Sequence, residues 1–262
     1  MKGARFVRIG ALFFYATYLY LKYYFLHLHL KYGYISDIHM SNTEHLRTLM
    51  SITPEMDTIL LEERFEQIAS MLFNNFAIQS DNKLFLFKEI EFYVYNKQHR
   101  DIITHPRASK ALCWYINDFG GIDLNFKSSI KRERRVNSRG KNVEKYVLDD
   151  SACFGGILIR QLEEKGSGDI LKGPLACSEL FRNYEATGHN TNKDLPILVE
   201  HDNKNAGDII PKHRVNILTS KQNEVSKVNN ILYQYHDNVQ PTKEILYQDF
   251  VNFKDKPYGY RR

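Results

Sequence analysis

Two carboxylates and a phenol alternate along Glu89-Ile90-Glu91-Phe92-Tyr93, so in a strand Glu89, Glu91 and Tyr93 share one face. A carboxylate held in an aromatic-lined pocket can serve as a general base, activating water against an electrophilic carbon. Burial there raises its pKa. On an edge strand the same face is merely solvated, and the pattern alone leaves both readings open. Downstream, Asp101-Ile102-Ile103-Thr104-His105 precedes Pro106-Arg107 and offers a loop histidine, for which a surface position is the ordinary alternative. Trp114-Tyr115 and Phe119-Gly120-Gly121 set aromatic rings beside glycine turns. Aromatics near a basic loop suit base stacking or a wedge into a duplex, and they suit an aromatic core as well. Arg160 ends the run Gly155-Gly156-Ile157-Leu158-Ile159. There it either reaches the surface along its apolar stem or sets a fixed cation beside a phosphate or carboxylate.

These groups need elements to hold them. Leu84 to Phe87 and Ile90 to Tyr95 read as strand, because β-branched and aromatic residues dominate, and Phe154 to Ile159 reads as another. The segment Ser41 to Asn82 reads as helical. Ser51-Ile52-Thr53-Pro54-Glu55 offers an N-cap with proline just inside the helix start, and Leu60, Leu61, Phe65, Ile68, Met71 and Leu72 then mark one buried face. Between the strands, Lys127 to Lys145 gathers Lys131, Arg132, Arg134, Arg135, Arg139 and Lys141, which predicts a loop or a mobile hairpin tip. A short helix from Leu175 to Tyr184, a polar linker from Gly188 to Asp194 and several strand-like pieces follow. Strands and helices without regular βα alternation predict the α+β class.

The balance of 36 Lys+Arg against 31 Asp+Glu, +5 at pH 7, permits a polyanionic partner without requiring one. Cys113, Cys153 and Cys177 have no C-x-x-C spacing and no histidine pair at metal-ligand distance. Three sparse cysteines argue against a disulfide framework and for a reducing compartment, with no structural zinc. Residues 1–40 differ from the rest. Lys2, Arg5 and Arg8 precede the apolar run Ile9 to Leu21, and the run reaches spanning length only by taking in Lys22, His27 and His29. A membrane anchor, an interfacial helix or sequence upstream of a start at Met40 each account for it, and the last is preferred. The expected division is therefore an N-terminal extension, 1–40, and a single domain, 41–262.

Taken in order, these pieces resemble the alkyladenine (3-methyladenine) DNA glycosylase family. Glu89-Ile90-Glu91-Phe92-Tyr93 is similar to its E-x-E-A-Y element, and Asp101 through His105 to its D-x-A-x-H element. Phe119-Gly120 through Asn125 resembles its Tyr-Gly tip and following strand, and Ile157-Leu158-Ile159-Arg160-Gln161 its V-L-I-R-A strand. Gly173-Pro174, the loop Asn190 to Leu195 and Arg214-Val215-Asn216 resemble three further elements, so the likeness runs from Leu84 to about Thr219. Phe92 stands where the family has a small residue, fourteen positions separate Glu91 from His105, and the basic stretch from Lys127 is an insertion.

The resemblance implies one compact α+β domain with a curved mixed or antiparallel sheet and flanking helices, like the C-terminal domain of formyltransferases. It implies a monofunctional hydrolase that flips an alkylated purine out of damaged duplex DNA and excises it with water, with no metal, cofactor or obligate protein partner. Glu91 would deprotonate the water, with Arg160 beside it. Tyr93, His105, Tyr115 and Asn125 would form the base pocket, and Phe119 would fill the gap left by the flipped nucleotide. Arg132, Arg134 and Arg135 are the expected DNA contacts. A monomer in the cytoplasm, associated with the nucleoid, is the corresponding expectation. Two other readings compete: a non-catalytic nucleic-acid-binding protein of the same fold, and a membrane-associated protein anchored by residues 9–30.

Overall fold

The computed structural model describes residues 40–117, 120–136, 139–181, 195–203, 207–215, 217 and 243–262. The apolar N-terminal run, Phe119, Asn216 and the linker from Gly188 to Asp194 lie outside the described residues. The chain divides into two units, Met1–Met40 and Ser41–Arg262. In the second, helices α1 (Asn42–Leu49) and α2 (Thr58–Asn75) precede strands β1 (Phe76–Ser80), β2 (Lys83–Tyr95), β3 (Trp114–Ile116) and β4 (Ile122–Asn125). A hairpin of β5 (Lys131–Val136) and β6 (Asn142–Val147) follows, then β7 (Phe154–Glu164) and β8 (Ile170–Lys172). Helix α3 (Pro174–Ser178), β9 (Ile197–Glu200), β10 (Ile210–Lys212), α4 (Lys243–Lys254) and β11 (Gly259–Arg261) complete the described elements. The class is α+β, with a curled antiparallel sheet.

Helix α2 starts later than Pro54 suggests. The Asp57 carboxylate accepts the Leu60 N–H at 2.8 Å and caps the first turn. Within the stretch expected to supply the cap, Ser51 instead donates its hydroxyl to the Arg47 carbonyl at the end of α1. The residues between form a turn, with the Met56 N–H on the Thr53 carbonyl. From this start Leu61, Phe65, Ile68 and Leu72 face inward, whereas Leu60 is 41% exposed and is not core. Phe65 stacks on Phe92 of β2, ring centres 4.6 Å apart, and fixes the helix across the sheet.

Strand β2 is the middle of the sheet. Strand β7 runs antiparallel along one side of it, while β1 and β11 share the other side end to end. On β7's outer side lie β4 and β8, and β3 pairs with β4. Ile90, Phe92 and Val94 pack into the core beneath the helices. Pairing steps from Phe87↔Leu162 to Glu89↔Gln161 to Ile90↔Ile159, so Lys88 and Arg160 are each an extra residue in the ladder. Such bulges bend a strand and redirect side chains. They sit beside the residues that carry the chemistry.

Lys127 to Lys145 is more ordered than a loop. Its two strands pair from Lys131↔Val147 to Val136↔Asn142 and form a separate two-stranded sheet. The helix expected from Leu175 is shorter than predicted: α3 ends at Ser178 and a tight 3₁₀ turn, Glu179–Phe181, follows. Among the described residues no helix is long and apolar enough to cross a membrane. All three cysteines are free thiols, and burial pushes those of Cys153 and Cys177 up to about 12.

Candidate active-site pocket

The face bearing Glu89, Glu91 and Tyr93 is covered rather than solvated, because Arg160, Lys212 and the Val215 amide meet its carboxylates. Glu91 is 0% exposed. Its Oε1 accepts the Val215 N–H at 2.6 Å; its Oε2 accepts the Tyr93 hydroxyl at 3.0 Å and Arg160 Nη1 at 3.4 Å. Burial is the largest influence on the Glu91 carboxyl and raises its pKa, against the pull of Arg160, the Val215 amide and Tyr93. Tyr93 is held well above its ordinary value, by burial first and then by the Glu91 charge. The bulge at Arg160 lets one guanidinium serve both acids, with Nε 3.3 Å from Glu89. Lys212 adds a second cation on Glu89 at 2.8 Å.

Tyr93, Arg160 and Val215 also line a cavity of about 460 Å³, so the three groups that hold Glu91 form part of the cavity wall. That volume is within the usual range of small-molecule sites, about 300–1,000 Å³. His105, Arg107 and Asp123 also line it, as do Pro174 and Leu175 at the start of α3. Gly173 turns the chain into that helix at φ 92°, a conformation that favours glycine.

The Val215 amide is anchored by the next residue back. Arg214 is fully buried and meets Asp101 at 2.5 Å, donates to the Phe253 carbonyl at 2.7 Å, and lies 4.8 Å over the Tyr93 ring. One buried ion pair thus ties β2, the 101–105 loop and the end of α4 together. Asp101 works as this structural anchor, while His105, four residues on, reaches the cavity.

Of the residues singled out in the sequence, Tyr93, Arg160 and His105 line the pocket, while Glu91 does not line it and is held by Tyr93, Arg160 and the Val215 amide. Tyr115 and Asn125 do not line it. The Tyr115 ring lies under Arg107, 4.2 Å from the guanidinium carbon, and Asn125 is buried, accepting from Arg107 at 3.0 Å. Arg132 and Arg134 extend from β5, where Arg132 bonds the Tyr146 hydroxyl at 2.9 Å and Arg134 meets Glu144 at 3.2 Å. Arg135 pairs through its backbone with Val143. Among the described residues no group of three or more His, Cys, Asp or Glu is placed to hold a metal ion.

Sequence reasoning missed the pocket roles of Arg107, Asp123 and the Val215 amide. A signal existed for one of them: Ile122-Asp123-Leu124-Asn125 alternates polar and apolar residues, which puts Asp123 on the site face of β4. Its pairing with an arginine sixteen residues earlier had no local signature.

No family model and no solved structure matches the chain. Over 145 residues, 53% of this chain, it is 27% identical to the uncharacterized protein L759 of Acanthamoeba polyphaga mimivirus, and the match spans 66% of that protein's length.

Proposed function

We propose that this pocket belongs to a water-using DNA N-glycosylase that excises alkylated purines from damaged duplex. The setting of Glu91 carries the reading. An ionised carboxylate offers about four acceptor sites, and Glu91 has three engaged by Val215, Tyr93 and Arg160. The remaining site takes a water that reaches it past Tyr93, Arg160 and Val215, the cavity-lining groups that hold the carboxylate. Raised by burial, the carboxylate is a stronger base than an exposed glutamate, and Arg160 opposes that rise. Water held there attacks the anomeric carbon of an extruded nucleotide and gives its proton to Glu91. The bond to the base nitrogen breaks, and the base leaves with the bonding electrons. A cationic alkylated purine leaves readily and sits well against aromatic faces such as Tyr93. Flipping the nucleotide costs a few kcal/mol of stacking and pairing, which phosphate contacts from the basic hairpin help to offset.

A second reading, a nucleic-acid-binding protein of the same architecture without catalysis, is favoured by the complete burial of Glu91 behind its own partners. Release of free base from a duplex carrying 7-methylguanine separates the two. The first reading expects time-dependent release by the full chain, whereas binding of the same duplex without release supports the second.

A further inference from the structure

On the wall that includes His105 stands an arginine that the proposed chemistry does not use. Arg107 is 3% exposed yet lines the cavity. Its Nε donates to the His105 carbonyl at 3.2 Å; its Nη1 donates to Asp123 at 2.5 Å and to Asn125 at 3.0 Å. Asn117 holds the other Asp123 oxygen at 3.3 Å, and the Tyr115 ring packs against the guanidinium plane. The remaining amino group, Nη2, makes no hydrogen bond to the described residues and is not among their buried unpartnered atoms. Since the rest of the guanidinium is enclosed, the cavity is where Nη2 finds a partner.

The backbone is shaped around this pair. A Cβ at Gly156 of β7 would lie 2.8 Å from Arg107 Nη1 and 3.1 Å from the Asp123 Cβ. Only glycine there lets Arg107 and Asp123 lie flat against the strand. A charged side chain held in place on four sides, with one donor left over, is a built recognition element.

We propose that Arg107 is the specificity-determining residue of the pocket, donating through Nη2 to a carbonyl oxygen on the edge of the bound base and so selecting oxo-edged over amino-edged bases. This rests on the pocket holding a nucleobase, the reading given above. An exocyclic amino group at the same place would set donor against donor, and the buried guanidinium cannot give up a proton to accommodate it. Asp123 and Asn125 fix the orientation of Arg107 and keep its charge from repelling a cationic purine.

Two arms test this. Free hypoxanthine and free adenine differ at the 6-position, oxo against amino, and their binding to the full chain is measured by calorimetry. Single-turnover release is measured in parallel on duplexes carrying 7-methylguanine or 3-methyladenine, both cationic alkylpurines. Wild type is expected to bind hypoxanthine about tenfold or more tightly than adenine, the usual worth of a hydrogen bond to a charged group. Arg107→Gln and Gly156→Ala are expected to erase that preference by weakening hypoxanthine alone. The release arm is expected to follow the same order. Equal binding of the two bases by wild type, a preference for adenine, or binding of neither overturns the proposal, and these outcomes need no variant to fold. Parallel loss of both bases in a folded Arg107→Gln assigns Arg107 to structure and overturns it too. Selective hypoxanthine binding with no release from either duplex upholds the Arg107 assignment while removing the excision reading.

Discussion

At the residue scale the account turns on Glu91 and what surrounds it. Its folded pKa is raised above the ordinary 4.5, with burial the leading cause. A group raised in this way contributes stability at low pH, and that contribution is lost as pH rises through the folded pKa. Glu91→Gln does not titrate. The melting temperature of Glu91→Gln minus that of wild type is therefore expected to increase as pH is raised from 4 through neutrality. A difference that stays flat, or that shrinks with rising pH, would show that the Glu91 charge is not disfavoured by folding. Wild-type base release should lose its acid limb at a pH above the usual carboxylate range, since the deprotonated form does the work.

At the scale of elements, the basic hairpin makes a directional prediction. Arg132 and Arg134 share one face of β5, opposite Tyr146 and Glu144. A duplex lying on that face meets two arginines. Replacing Arg132 and Arg134 with glutamine should flatten the dependence of log affinity on log salt by about 0.9 for each contact, about 1.8 together. A slope untouched by the double variant, measured by fluorescence anisotropy at several salt concentrations, removes the hairpin from the interface. The elements themselves were partly legible. Alternation in Glu89-Ile90-Glu91-Phe92-Tyr93 and the inward spacing of Leu61, Phe65, Ile68 and Leu72 are local signals, and β2 and α2 follow them. What was not legible is long-range. Nothing in β2 announces that Arg160 and the Val215 amide meet its site face, yet that decides whether Glu91 is buried or solvated. The start of α2 was missed for a related reason: Pro54 is a strong local signal, and Asp57 outcompeted it by reaching the Leu60 N–H. Arg107 and Asp123 meet only because β4 folds back onto β7 beside Gly156.

For the molecule as a whole, one buried histidine couples folding to pH. His99 is enclosed by Phe65, Phe253 and Tyr258, with Nδ1 3.2 Å from the Thr58 hydroxyl and Nε2 buried without a partner. Burial first, then the charges of Arg214 and Lys256, lower its pKa from 6.5 to about 3. The folded protein holds His99 neutral while the unfolded chain takes up a proton below about pH 6.5. Stability is thus expected to fall as pH drops from 6.5 toward 3, at up to ~1.4 kcal/mol per pH unit from this one group. Chemical denaturation of His99→Gln across that range should give a shallower dependence than wild type. An identical dependence would mean that other groups carry the acid sensitivity.

The central claim, that Glu91 is a general base for base excision, is tested most directly by one paired measurement on Glu91→Gln. Single-turnover release from a 7-methylguanine duplex and affinity for the same duplex are followed side by side with wild type. Loss of the base predicts release slowed by ~10²–10⁴-fold with affinity unchanged. Release by Glu91→Gln at more than about a tenth of the wild-type rate, or no release by wild type, contradicts the account.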